Sequence, residues 1–195
     1  MNEPEAPLIL DLIVASTRPA RAGLHVAHWF LERAIDHASF QVELVDLAQI
    51  DLPMFDEPRH PKLRRYEYDH TKAWSAIVEP ADAFVFITPE YNHGAPPALV
   101  NALDFLSQEW AYKPVGFVSY GGVSGGTRSV QMTKQIVAAL RMAPLFDSVT
   151  LPFFREHLGH DGRFDPGERQ EKATTRMLDE LVRWARALRT MRAAS

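Results

Sequence analysis

Short apolar runs alternate along this chain with segments whose apolar residues recur at helical spacing. That alternation restricts the fold more than any other feature. Leu8 to Ala15 reads as a buried strand running directly into Ser16-Thr17-Arg18-Pro19, a turn and helix-start signal. From Val26 onward, Ala27, Phe30, Leu31, Ala34 and Ile35 share one helical face. Phe40 to Leu47 reads as a second strand, Thr71 to Val78 as a short helix and Asp82 to Thr88 as a third strand. A helix from about Pro97 turns Leu99, Ala102, Leu103 and Leu106 inward. Pro114 to Ser119 is a fourth strand, and a helix with Val130, Thr133, Val137 and Leu140 on one side follows it. Leu145 to Leu151 is a fifth strand, and a final amphipathic helix carries Leu178, Leu181, Val182, Ala185 and Leu188. Proline and charge mark 51–69 as a long loop, and 155–166 reads as another, with Asp161-Gly162 as its turn. Such alternation predicts an α/β single domain over 1–195 with a parallel sheet and helices on both faces; five strands suit a doubly wound sheet in the order 2-1-3-4-5.

In sheets of this order, ligands bind beyond the carboxyl ends of the strands at the switch point. Strands one, three and four would lie side by side there, and each ends in an unusual loop. The first, 16–23, offers the Ser16 and Thr17 hydroxyls, the Arg18 and Arg21 guanidinium groups and a helix N-terminus, a combination suited to phosphate. Its plain alternative is a helix cap at Ser16 with surface arginines. The second, 89–94, sets backbone polarity beside the rigid ring of Tyr91, which suits the edge of a flat heterocycle. Glu90 and His93 there are candidates for an acid–base pair, set against ordinary solvated loop positions. The third, 119–126, has four glycines in the six residues 121–126 and lets backbone approach a ligand closely, unless it is only a flexible connector. It is no dinucleotide G-x-G-x-x-G loop, because Val123 takes the second glycine's place, and no triphosphate-binding loop, because Thr127 takes the place of the lysine.

Composition removes several chemistries. With no cysteine, thiol catalysis, disulfides, iron–sulfur clusters and Cys-type zinc sites are excluded. A formal net charge of -4 argues against nucleic acid as a partner and is too mild for an acidic electron carrier. The first apolar run is interrupted by Asp11 and is too short to span a bilayer, and Met1 to Glu5 is acidic, so the expectation is a cytoplasmic protein with no membrane partner. The His25/His28 and His157/His160 spacings read as surface pairs rather than metal ligands, and Asp161 to Asp165 is only superficially like a calcium loop. No catalytic triad is visible. A phosphate cradle, a planar-ring slot and no protein nucleophile point to flavin mononucleotide, a cofactor that carries the chemistry while the protein binds and orients it.

The chain resembles the NADPH-dependent FMN reductase family of flavodoxin-like proteins, which includes flavin, quinone, azo-dye and chromate reductases. The matching stretches are Ser16-Thr17-Arg18-Pro19 with Arg21 and Gly23, His70 to Ser75, Thr88 to His93, Asn101-Ala102-Leu103-Asp104, and Lys113 to Gly122. The resemblance implies that Ser16, Arg18 and Arg21, with nearby backbone around Thr17 and Gly23, hold the FMN phosphate. It implies that Pro89, Glu90, Tyr91, Asn92 and His93 line the isoalloxazine ring, and that Ser119, Tyr120, Gly121 and Gly122 flank it from the other side. Ala15 stands where the family often has glycine, Gly94 replaces a frequent serine and Val100 a frequent lysine.

The expected activity is hydride transfer from NADPH or NADH to the flavin N5, then reduction of a quinone, free flavin or similar small-molecule acceptor, with no catalytic side chain and no metal. The alternatives are an FMN-binding electron-transfer module that docks with partner proteins, and a flavin-free regulatory domain. Arg64 and Arg65 in the 51–69 loop are set down as candidates to hold the nicotinamide nucleotide. Family members are usually dimers or tetramers, so a homodimer or homotetramer is expected. Val100, Met132, Ile136 and Met142 fall off the inward faces, with Phe105, Trp110 and Tyr112 nearby. This apolar excess fits either a partner surface or a second core layer under the 51–69 loop.

Overall fold

The computed structural model describes residues 7–159 and 162–193; the expectations for Met1–Glu5, His160 and Asp161 therefore lie outside the described residues. Five strands, β1 (Leu8–Val14), β2 (Phe40–Asp46), β3 (Ala83–Pro89), β4 (Pro114–Tyr120) and β5 (Ala143–Leu151), form one sheet in the order β2-β1-β3-β4-β5. Every pairing is parallel. The helices are α1 (Gly23–Asp36), the single turn α2 (Leu47–Ile50), α3 (Asp69–Val78), α4 (Pro97–Asp104), α5 (Thr127–Ala139) and α6 (Glu168–Ala193).

Strand alternation splits the core into two layers. Leu8, Leu10, Leu12, Val14, Val85, Ile87 and Val118 pack on Val26, Ala27 and Phe30 of α1 and on Met177, Leu178 and Leu181 of α6. Ile13, Phe84, Phe86, Val115 and Phe117 point the other way, onto Trp74 of α3, Leu99 and Leu103 of α4, and Val130 and Val137 of α5. Both central strands, β3 and β4, are buried at every residue. That is why they read as unbroken apolar runs: helices cover both faces.

Three packing expectations change. Ile35 is 57% exposed, while Trp29 is buried against Phe164 with ring centroids 5.8 Å apart and donates Nε1–H to Glu171 at 2.9 Å. The segment leading into α6 thus draws the buried stripe of α1 toward Trp29 and away from Ile35. Phe105, Trp110 and Met142 are buried within the single chain. Trp110 packs on Phe84 at 5.0 Å and Phe55 packs on Phe105 at 5.2 Å, so these residues form the core layer under the 51–69 segment. Third, β5 starts at Ala143 and carries an irregularity where its partners jump from Val115↔Pro144 to Phe117↔Ser148. This bulge turns Phe146 outward, 95% exposed, and Lys134 Nζ caps the Leu145 carbonyl at 2.8 Å.

The 51–69 segment is long but tied at three points. Asn101 donates to the Pro53 carbonyl at 2.7 Å and accepts from the Phe55 amide at 2.9 Å. The buried Glu57 carboxylate accepts from the Glu67 and Tyr68 amides at 3.0 and 3.1 Å. Buried Glu109 accepts from Tyr66 and Ser75, both at 2.8 Å. Arg64 bonds Glu79 at 2.6 Å and lies 3.4 Å from Glu109, beside Lys113 at the amino-terminal end of β4. It therefore sits at the end of the sheet away from the switch-point loops, and the expectation that it holds a nucleotide there is corrected.

Candidate cofactor cleft at the switch point

At the carboxyl ends of β1, β3, β4 and β5 the chain encloses a cleft of ≈ 380 Å³. It falls within the range of small-ligand sites, roughly 300–1,000 Å³. Arg18 to Ala22 form one wall, Pro89 to Tyr91 and Tyr120 to Gly122 the floor, and Phe153 to Glu156 the remaining side. Of the residues singled out from sequence, Arg18, Arg21, Pro89, Glu90, Tyr91, Tyr120, Gly121 and Gly122 line this cleft together. Ser16, Thr17, Gly23, Asn92, His93 and Ser119 are outside its lining, and each has a distinct position.

Ser16 is buried just behind the wall, its Oγ 2.8 Å from the Tyr91 hydroxyl, which joins the first loop to the second. Thr17 faces a neighbouring depression with Leu47, Met54 and Asn101. Gly23 opens α1, where a Cβ would stand 2.3 Å from the Tyr120 hydroxyl, so glycine there makes room for that phenol. Burial pushes the Tyr120 hydroxyl well above the usual phenol range, and its oxygen has no hydrogen-bond partner among the described residues. Ser119 is fully buried beneath the third loop, with its Oγ also unpartnered. Its neighbour Tyr120 points into the cleft because successive strand residues face opposite sides.

The second loop is a tight hairpin. Tyr91 and Gly94 exchange both backbone hydrogen bonds, at 3.1 and 2.9 Å, across Asn92 and His93. Asn92 has φ 49° and His93 φ 66°, the paired left-handed geometry of a type I′ turn, which Asn tolerates well. The turn carries His93 out of the cleft. Glu90 is engaged too, its side chain only 7% exposed. It accepts from Ser124 Oγ at 2.9 Å, from the Arg128 amide at 3.1 Å and from the Arg128 guanidinium at 2.8 Å. Burial opposes its ionisation, but the bonds from Arg128 and Ser124 prevail and hold its carboxyl below the ordinary range. A carboxylate so paired is a clamp between the second loop and the start of α5, not a proton donor, and the Glu90–His93 acid–base pairing is set aside.

In the third loop the glycines divide the work. A Cβ on Gly126 (φ 85°) would lie 2.8 Å from Ser119 Cβ and from the Tyr120 amide nitrogen. At Gly122 nothing stands within 4 Å of a Cβ, so that stretch of backbone is open toward the cleft.

The two arginines of the first loop differ. Arg21 is ion-paired to Asp46, which also caps α2 through the Ala48 amide at 3.1 Å. Arg18 makes no ion pair among the described residues; its guanidinium lies 5.9 Å from the Tyr91 ring centroid. The amides of Thr17, Arg18, Ala20, Arg21 and Ala22 donate no hydrogen bond among the described residues. A free guanidinium beside unused amides at a helix start is an anion-binding arrangement.

The Phe153–Glu156 wall was not singled out from sequence. The fifth strand ends at the same rim as the others, and that was the available signal. Phe154 packs edge-on against Tyr120 at 5.0 Å, and the Phe153 and Phe154 amides donate to the Gly122 and Gly121 carbonyls at 3.1 and 3.4 Å. Elsewhere, His25 and His28 border a depression with Glu32, Asp165 and Glu171. Among the described residues no group of three or more His, Cys, Asp or Glu is placed to hold a metal ion, and no helix is long and apolar enough to cross a membrane.

A sequence profile of NADPH-dependent FMN reductases matches residues 10–156. An NAD(P)H-dependent FMN reductase of Schizosaccharomyces pombe is 43% identical over 150 residues, covering 75% of this chain and 74% of that protein. An NAD(P)H-dependent FMN reductase of Saccharomyces cerevisiae is 35% identical over 145 residues, covering 68% and 75%. Among solved structures, the flavoenzyme NAD(P)H:(acceptor) oxidoreductase FerB from Paracoccus denitrificans superposes with a TM-score of 0.69 at 21% identity, covering 92% of this chain and 98% of that one. The extent of these matches leads to one assignment, with which the sheet order and the loops gathered at its switch point agree: the chain belongs to the NADPH-dependent FMN reductase family.

Proposed function

We propose that this chain is an FMN-containing NAD(P)H oxidoreductase that passes electrons to a quinone, a free flavin or a similar small acceptor. The observation that carries this reading is the convergence of the unpaired Arg18, the Tyr91 hairpin and the open Gly122 backbone on one cleft. The residues fit the cofactor. Arg18 and the unused amides of the first loop offer donors for a phosphate, with Ser16 close behind and Arg21 adding charge from its pair with Asp46. Pro89 to Tyr91 and Gly121–Gly122 offer flat, largely backbone surfaces for an aromatic ring, with the unpartnered Tyr120 hydroxyl beneath. Bound there, FMN would supply the redox chemistry between the nicotinamide and the acceptor. The protein's own residues orient it: Glu90 clamps the two ring-facing loops through Arg128 and Ser124, and the Ser16–Tyr91 bond fixes the phosphate loop against them. Glu90 is held as a carboxylate by Arg128 and Ser124, so what it contributes is positioning.

Anaerobic mixing of FMN-loaded protein with NADPH, and separately NADH, tests the reading. Bleaching of the yellow absorbance is the expected result. Flavin that binds but stays oxidised with both donors would instead leave an electron-transfer module. The proposal extends to a homo-oligomer, supported by the exposed Met54, Phe55 and Met132 beside half-buried Val100 and Ile136. Sedimentation equilibrium distinguishes dimer, tetramer and monomer.

A further inference from the structure

The side of the cleft made by Phe153 to Glu156 lies opposite the Arg18–Ala22 wall. Arg155 is exposed there and forms no ion pair among the described residues; its guanidinium lies 5.9 Å from the Phe154 ring. Phe153 is 51% exposed and held at φ 46°, ψ 38°. A bulky side chain in the left-handed region carries a conformational cost, and glycine would occupy the same backbone without it. Phe153 is locked there by its amide bond to Gly122 and by the Glu156 amide, which donates to its carbonyl at 2.8 Å. An unpaired cation and an aromatic face shown to solvent at some cost therefore share one wall of the cleft.

The position of this wall decides what it can reach. The β1 and β5 loops are separated by β3 and β4, three inter-strand steps or roughly 14 Å at the usual spacing. A single phosphate seated on the β1 loop leaves Arg155 free for a second anion. The other charges facing Arg155 across the cleft are Arg18, the Asp46-paired Arg21, the Arg128-paired Glu90 and, on its own turn, Glu156. Glu156 is the single acidic side chain of the lining without an ion pair among the described residues, and Arg18 offsets it.

We propose that Phe153 and Arg155 form a docking arm for a second phosphorylated aromatic nucleotide, the reducing dinucleotide or a free flavin phosphate, separate from the resident FMN. The aromatic face of Phe153 stacks on a base or ring, and Arg155 binds phosphate oxygens. This arm rests on the oxidoreductase reading and adds to it the residues that select phosphorylated substrates.

The test uses FMN-saturated parent, Arg155→Gln and Phe153→Gly proteins. Calorimetric titration with NADP+, which cannot reduce the flavin, reads the dinucleotide. The ratio of KM for free FMN to KM for an uncharged quinone reads the acceptor. Expected for Arg155→Gln is about tenfold weaker NADP+ binding, or an about tenfold rise in that ratio. Affinity for the resident FMN, read by flavin fluorescence quenching, stays within about twofold. Phe153→Gly weakens the same ligand and keeps or raises Tm, because the strain is removed with the ring. Parent-like values for both ligands in both variants overturn the proposal, as does a parallel loss of resident FMN or a lowered Tm in Phe153→Gly. A parent protein that takes up no FMN overturns the oxidoreductase reading and this arm with it, so the two failures are distinct.

Discussion

Asp11 stands in the middle of β1, only 2% exposed, on the layer built from Ile13, Phe84 and Phe86. Its Oδ2 has no hydrogen-bond partner among the described residues. Burial raises its pKa from 3.8 to about 7; Lys113 pulls the other way and Glu43, its register partner on β2, adds to the rise. The folded protein thus keeps a proton that the unfolded chain releases near its ordinary value. Between those limits the unfolded state binds fewer protons, so stability falls as pH rises from about 4 to about 7. At roughly 1.4 kcal/mol per unit, the gap sets a ceiling of about 4 kcal/mol. Relaxation around the carboxylate and its attraction to Lys113 reduce this, and about 1–3 kcal/mol is the expected cost above neutral pH. Asp11→Asn keeps the shape and cannot ionise. Urea unfolding of both proteins at equal flavin content, from about pH 4 to about pH 8, should show the parent losing stability relative to the variant as pH rises. The variant should be the more stable near about pH 8, with little difference near about pH 4. Lys113 is held down to about 8 by burial first and Arg192 second, so its own window opens only above that pH. A parent–variant difference that is the same at both ends of the range would refute the reasoning.

Three further outcomes follow from residues of the site and its supports. Arg18→Ala should weaken FMN binding by about 10- to 100-fold, the worth of a charge-assisted phosphate contact, with riboflavin affinity nearly unchanged; fluorescence quenching with both flavins checks it. Asn101→Ala removes both bonds to Pro53 and Phe55; about 1–3 kcal/mol of stability is lost, and limited proteolysis should speed up within 53–60. Gly126→Ala places a methyl 2.8 Å from Ser119 Cβ at φ 85° and should cost about 2 kcal/mol or more, read as a lowered Tm.

What could be read from sequence follows a physical divide. The strands of the fold were legible because β3 and β4, covered on both faces, must be apolar throughout; alternation with helices implied parallel pairing, and five strands suited the order that is observed. Three cleft-forming loops were legible because their turn residues are specific to strand ends. Side-chain commitments across the fold were not. Nothing near Arg21 in the chain announces Asp46, and nothing near Glu90 announces Arg128. The same holds for Arg64, whose partners Glu79 and Glu109 are set by packing at the far end of the sheet. Phe153 to Glu156 carry little sequence signal because the 3-10 turn there has no apolar period to mark it, only its place after β5. The apolar excess around Trp110 had two readings in sequence, and only the path of 51–69 over Phe105 separates them.

The irregular pairing near Phe146 bears on how such molecules behave when crowded. An outermost ribbon of backbone is a template on which other polypeptides can deposit, layer on layer, toward fibres. Here the Leu145 oxygen is already taken by an ammonium, and the chain kinks where a newcomer would have to zip up. Strand-by-strand growth along that margin is thereby opposed.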